Sequence, residues 1–190
     1  MRIERCKRPI EPPPTAPPPE GRTDALLFVL EEMDETYLDA VLEIEQAVFS
    51  NPWRLKDFQY ALAKEGSYGV VCLAEGRVIG YALGFFVMEE FHLADFAVHP
   101  DLQHRGIGRQ LLDVLLDVLK RRPVSLVSLE VRGSNRAAIA LYRQVGFQTV
   151  AIRRGYYSRP REDALVMLKA LRGKLSDWLG GTVTPLDQRI

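Results

Sequence analysis

The segment Gln103-His104-Arg105-Gly106-Ile107-Gly108 has the composition of an anion-binding turn. Glycines let the backbone approach a bulky anion. A helix starting there offers free N–H groups and the positive end of its dipole. The segment lacks the lysine of a P-loop and the third glycine of a dinucleotide fingerprint. Alone, it reads equally well as a tight turn into a helix. Arg105 and Arg109 flank the glycines, either as solvated surface charge or as electrostatic help for a bound phosphate. Glu130 closes an apolar run, where burial raises a carboxyl towards a useful base; its bland alternative is an ordinary strand-end carboxylate. Tyr142 offers a phenol of pKa about 10, able to pass a proton to a thiolate of pKa about 8.5; aromatic packing is its alternative. Asn135 can cap the helix that carries Tyr142.

Other chemistries find less support. Cys72 has no matching histidine signature, which favours direct attack on a substrate over a covalent enzyme intermediate. His92, His99 and His104 lack metal-ligand spacing, so no metal is expected.

These residues must be held by regular elements. The apolar run Ala25–Glu31 reads as a strand. Asp34 can cap a helix to about Phe49, with Leu38, Val41, Leu42 and Ile44 inward. Asn51-Pro52 breaks it, and Arg54–Lys64 reads as a second short helix. Tyr68–Ala74 and Val78–Val87 form a hairpin across Glu75-Gly76-Arg77, and His92–Val98 is the next strand. Ile107, Leu111, Leu112, Leu115 and Leu119 share one face of a helix over Gly106–Arg121. Val124–Val131 is a buried strand, Arg136–Gln144 a helix closed by Gly146, and Phe147–Arg153 and Ala164–Leu168 the last strands. Strands alternating with helices predict an α/β protein, and the hairpins a mixed sheet.

The flanks differ. Seven of the twelve prolines fall between Pro9 and Pro19. Residues 1–23 therefore read as a disordered polyproline tail, with a docking peptide as the sharper alternative. Residues 24–170 form the one domain that 190 residues comfortably allow, and residues 171–190 a C-terminal tail. Twenty-five basic residues balance twenty-five acidic ones, so no global field for nucleic acid or anionic membrane is expected. No apolar run reaches membrane-spanning length, and no signal peptide is evident. Cys6 and Cys72 do not suggest a disulfide framework, and the cytoplasm is the expected compartment.

Taken together, the motifs resemble the GNAT N-acetyltransferases. Gln103–Gly108 matches that family's Gln/Arg-x-x-Gly-x-Gly/Ala pattern, which wraps the pyrophosphate of coenzyme A. Phe96-Ala97-Val98-His99-Pro100 resembles its strand end that holds the pantetheine arm. Leu129-Glu130-Val131-Arg132-Gly133-Ser134-Asn135, the Leu141-Tyr142 pair before Gly146-Phe147, and Arg153-Arg154-Gly155-Tyr156-Tyr157 before Arg161-Glu162-Asp163-Ala164 resemble its RimI branch, the ribosomal-protein alanine N-acetyltransferases. The likeness spans roughly residues 24–170. It implies a mixed sheet with helices on both faces and acetyl-CoA as cosubstrate. It implies cofactor contacts from Phe96, Ala97, Val98, His104, Arg105, Gly106, Ile107, Gly108, Arg109 and Asn135, with Glu130 as base and Tyr142 as acid. It also implies an acceptor groove with Trp53, Arg154, Tyr156 and Tyr157, taking a protein N-terminus such as that of a ribosomal protein. Two positions depart from the branch: Ala94-Asp95-Phe96 stands where Asn-Ile is usual, and Gly155 replaces an asparagine. Transfer to a small amine, or a non-catalytic acyl-CoA-binding module, are the alternatives; Glu130 and Tyr142 argue against the second.

Overall fold

In the computed structural model, residues 28–179 are described. Helix α3 (Ile107–Lys120) shows why the chain folds as it does. Its buried face is Ile107, Leu111, Leu112, Leu115, Leu116, Val118 and Leu119, the predicted stripe with two additions. Burying one such side chain contributes about 1.5–3 kcal/mol. That face lies on a sheet of seven strands: β1 (Val29–Glu32), β2 (Ser67–Ala74), β3 (Arg77–Val87), β4 (Glu90–Val98), β5 (Leu126–Arg132), β6 (Gln148–Ser158) and β7 (Arg161–Ala170). Their spatial order is β1-β2-β3-β4-β5-β7-β6. Only β4 and β5 pair in parallel; every other neighbour is antiparallel, so the sheet is mixed as expected.

Two cores form, one on each side. Helix α3 and helix α4 (Arg136–Gln144) cover one face, with Leu111, Leu115, Ile139 and Tyr142 packed on Phe91, Leu93, Val127 and Leu129. Helices α1 (Leu38–Val48) and α2 (Leu55–Ala63) cover the other, where Val41, Ile44 and Phe58 meet Tyr81, Leu83 and Ala97. The helix expected from Asp34 starts as one 3-10 turn, Glu35–Tyr37. Asp34 accepts the Thr36 N–H at 2.9 Å, and the α-helical bonds begin at Leu38.

One irregularity decides where side chains point. Leu83 pairs with Asp95 and Gly84 with Leu93, leaving Ala94 as a bulge in β4. An extra residue swaps the faces of everything after it. Phe91 and Leu93 join the α3 core, whereas Asp95 meets Tyr81 and Ala97 joins the α1 core. Gly84 permits the close approach, since a Cβ there would fall 2.4 Å from the His92 carbonyl oxygen.

At the other edge, β6 extends past its expected end at Arg153. Its register skips from Arg153↔Ala164 to Tyr157↔Glu162, so Arg154, Gly155 and Tyr156 bulge out of a strand rather than forming a loop between strands. The Asp163 carboxylate fills the bulge, accepting the Gly155 N–H at 2.8 Å and Arg154 at 3.1 Å.

The proline-rich segment lies outside the described residues, as do residues 180–190. The first part of the expected C-terminal tail is anchored. Leu171 donates its N–H to Ser125, and Arg172 reaches the carbonyls of Lys120 and Arg122 at the end of α3. A single helical turn, α5 (Leu175–Trp178), follows.

Candidate active site

Strands β4 and β5 pair only from Glu90↔Leu126 to Leu93↔Leu129. Beyond Leu93 they part, and the β5-facing edge of β4 has no strand partner. A cleft of about 970 Å³ opens there, flanked by α1, α3 and α4. Of the residues singled out in the sequence, Phe96, Ala97, Val98, His104, Gly106, Gly108, Arg109, Glu130, Asn135, Tyr142, Trp53 and Tyr157 all line it. Arg105, Ile107, Arg154 and Tyr156 do not.

The glycine turn occupies one end. Gly106 has φ +83° and nothing nearer its Cβ position than Gln110 at 4.0 Å, so the left-handed backbone, not crowding, calls for glycine here. His104 is also left-handed, at φ +61°. Together they turn the chain into α3 so that the first N–H groups of a 14-residue helix face the cleft end. The Ile107 side chain is buried core, and only its backbone serves the turn. Arg105 is exposed on the outside of the turn. Arg109 is also exposed and pairs with Asp113 at 3.2 Å. Gln103 secures the end of β4 by donating to the Val98 carbonyl at 3.0 Å.

Glu130 lies just past the point of divergence. Its side chain is 10% exposed, yet burial is not its only influence: Arg153 sits 2.8 Å from Oε1 and His92 Nε2 lies 3.5 Å from Oε2. Tyr142 faces the cleft from α4, which Asn135 caps by accepting the Ala138 N–H at 3.1 Å. Its ring packs edge-on against Phe96 and Phe147. Burial pushes its phenol well above the ordinary value. The packing role and the site role thus coexist.

Trp53 belongs to both a core and the cleft. Its ring packs on Phe58 at 5.3 Å and its backbone N–H donates to Glu45 at 2.7 Å. Tyr157 donates to the Glu130 carbonyl at 3.4 Å beneath the Arg132 guanidinium. Tyr156 stacks edge-on against Tyr157 but is half exposed, and the Arg154 side chain is 84% exposed; both stand outside the cleft because the β6 bulge carries them outward.

Sequence reasoning missed a buried acidic cluster in the cleft wall. Glu45 from α1 and Asp95 from β4 are both buried, with the fully buried Tyr81 hydroxyl against both: it donates to Glu45 and lies 3.3 Å from Asp95. Burial, then the neighbouring Glu45 charge, raises the Asp95 carboxyl well above the carboxylate range; burial also raises Glu45. Helical spacing held the signal, since Glu45 follows Leu38 by seven and Val41 by four on the apolar face.

Among the described residues no group of acidic, histidine or cysteine side chains is placed to hold a metal. Cys72 is a buried free thiol, and burial pushes it up to about 12, far from a nucleophile's range. No helix of the described residues is long and apolar enough to cross a membrane.

A split sheet, a glycine turn at the start of α3 and the side chains of Glu130 and Tyr142 meet in one cleft. The sequence profile of the Acetyltransferase (GNAT) family matches residues 38–147, and the chain belongs to that family, whose acetyltransferases use acetyl-CoA. The [ribosomal protein bS18]-alanine N-acetyltransferase of Salmonella typhimurium is 41% identical over 137 residues, covering 71% of this chain and 92% of that protein. The N-alpha-acetyltransferase RimI of Mycobacterium tuberculosis is 41% identical over 132 residues, covering 67% and 82%. The crystal structure of the ribosomal-protein-S18-alanine N-acetyltransferase from Escherichia coli superposes with a TM-score of 0.73 at 37% identity, covering 78% of this chain and 96% of that one.

Proposed function

We propose that this chain transfers acetyl from acetyl-CoA to the α-amine of a protein N-terminus, with the N-terminal alanine of ribosomal protein bS18 as its acceptor, in the cytoplasm. The observation that carries the reading is the joint presence of Glu130 and Tyr142 in the cleft that ends on the Gly106 turn. Relatives of about 40% identity named for that acceptor support the choice of substrate.

The residues fit acetyl-CoA. The left-handed Gly106, with open space around it, leaves the α3 N–H groups clear for a pyrophosphate, and His104, Ile107 and Gly108 supply backbone beside it. Arg105 and Arg109 add positive charge from outside. The free edge of β4 at Phe96, Ala97 and Val98 suits the amide-bearing pantetheine arm, and Asn135 borders it from α4. Acetyl-CoA supplies an activated acetyl group on a good leaving thiolate.

The protein's part is proton handling and alignment. Glu130 takes a proton from the incoming ammonium, giving the neutral amine that attacks. Tyr142, held protonated by burial, gives its hydroxyl proton to the departing sulfur and regains one from the nitrogen, which sheds its second proton as the amide forms. Trp53 and Tyr157 flank the acceptor backbone within the cleft, while Arg154 and Tyr156, carried outside it by the β6 bulge, are left for residues further along the peptide. An α-amine suits this base better than lysine, because its pKa of about 7.7–8.0 lies far below lysine's of about 10.4.

Two peptides of otherwise identical sequence test the assignment, one with a free N-terminal alanine and no lysine, the other with a blocked N-terminus and one lysine. Mass spectrometry should find acetyl on the first. Equal or faster acetylation of the lysine peptide refutes the α-amine reading, and activity on a polyamine alone transfers the enzyme to small-molecule substrates.

A further inference from the structure

The acceptor's proton must leave the cleft, and a chain of polar side chains runs from Glu130 to water. His92 on β4 faces Ser128, its register partner on β5, with Nδ1 3.0 Å from the Ser128 hydroxyl oxygen. Ser128 donates that hydroxyl's proton to the Glu90 carboxylate. These bonds fix the histidine tautomer. Ser128 spends its one proton on Glu90, so its oxygen must accept from His92, and Nδ1 carries the hydrogen. Nε2 then turns a lone pair towards Glu130 Oε2 across 3.5 Å. A proton arriving at Glu130 closes that gap into a hydrogen bond.

Exposure runs the right way. The Glu130 side chain is 10% exposed and that of His92 is 34% exposed. Of the groups facing His92, β5 contributes Ser128 and Glu130, and its own strand contributes Glu90 through Ser128. From β6, Arg153 reaches it only through Glu130 Oε1. From β3 it meets the uncharged Phe85, over whose ring Lys64, just past the end of α2, lies at 5.5 Å.

Resting on the reading of Glu130 as the base, we propose that His92 is the positioning residue that orients Glu130 and relays the acceptor's proton from it to solvent. The balance is simple. The ammonium N–H bond breaks and an O–H bond forms at Glu130. That proton moves to Nε2, and the imidazolium gives up one proton to water at its exposed side. Acetyl transfer releases one net proton per turnover, which is the proton that travels this path.

The test uses the full chain with a free-N-terminus peptide and acetyl-CoA. His92→Ala should lower kcat about tenfold with KM little changed, less than the 10²–10⁴-fold of a primary acid or base because water partly substitutes. Added imidazole should restore kcat in His92→Ala. His92→Gln keeps a hydrogen bond to Ser128 but carries no proton, so it should be as slow as His92→Ala. Its acidic limb of the pH–rate profile should also move to lower pH, because an accepting pair that loses its imidazole keeps only the less basic carboxylate. Full activity in His92→Gln, or a rate loss that imidazole does not rescue and an unmoved acidic limb, overturns the relay while leaving Glu130 as base. Wild-type kcat in Glu130→Gln overturns the base itself and the relay with it.

Discussion

At the scale of single residues, the most consequential side chain besides Glu130 and Tyr142 is Asp95. Folding buries it beside Glu45, so the folded protein holds a proton there that the unfolded chain, with an ordinary carboxyl, has already released. An acid whose folded pKa is raised contributes stability at low pH and loses it as pH climbs towards the folded value. Wild-type stability should therefore decline as pH rises from the ordinary carboxylate range towards the raised folded value. Asp95→Asn removes one of the two ionisable partners and keeps the shape; thermal melts between pH 5 and 9, stepped by about one unit as ordinary titration widths require, should show a flatter profile. An unchanged slope would detach Asp95 from the pH dependence. Reading the sequence flagged Asp95 as a departure but found no partner for it. Glu45 and Tyr81 lie 50 and 14 positions away, and only the tertiary fold brings them together.

Among the elements, helices were legible because their spacing and caps are local: the Asn135 cap, the α3 stripe and the Pro52 break all sit where sequence put them. The bulges were not. A period-two reading of β4 sends Asp95 to the same face as Leu93, and nothing within the strand announces that Ala94 is extra; the signal lies in the cross-strand register with Gly84. Likewise Arg154 to Tyr156 look like a loop until Asp163 on β7 is seen to hold them against a paired strand. The glycine turn is the element whose geometry is most exposed to test. Gly106→Val forces a β-branched residue to φ +83°, costing roughly 1–2 kcal/mol in backbone strain, and sets methyls where the cleft needs open backbone. Calorimetry should show a sharp loss of acetyl-CoA affinity in a variant whose circular dichroism remains native. Undiminished affinity in the folded variant removes this turn from the cofactor site.

Across the whole molecule, the sheet is two blocks joined by a short seam. β1 to β4 with α1 and α2 form one side, and β5 to β7 with α4 the other; the direct strand pairing between them ends at Leu93↔Leu129. Helix α3 reinforces the seam from one face only, through Leu111 and Leu115. A ligand lying between the parted strands contacts both blocks, so it binds the folded state and has no equivalent site on the unfolded chain. Mass action then stabilises the protein by about 2.7 kcal/mol at a ligand concentration of 100 Kd. For a domain of this size each kcal/mol moves the melting temperature by about 2–4 °C, which predicts a rise of roughly 5–10 °C with acetyl-CoA. Amide exchange should slow in the same experiment at Phe96 to Val98 and at Val131, the backbone on both sides of the gap, more than in β1 or β2. A bound molecule confined to one block still raises the melting temperature but protects only that block. Protection on one side of the gap alone would therefore refute binding between the strands, whatever the thermal shift.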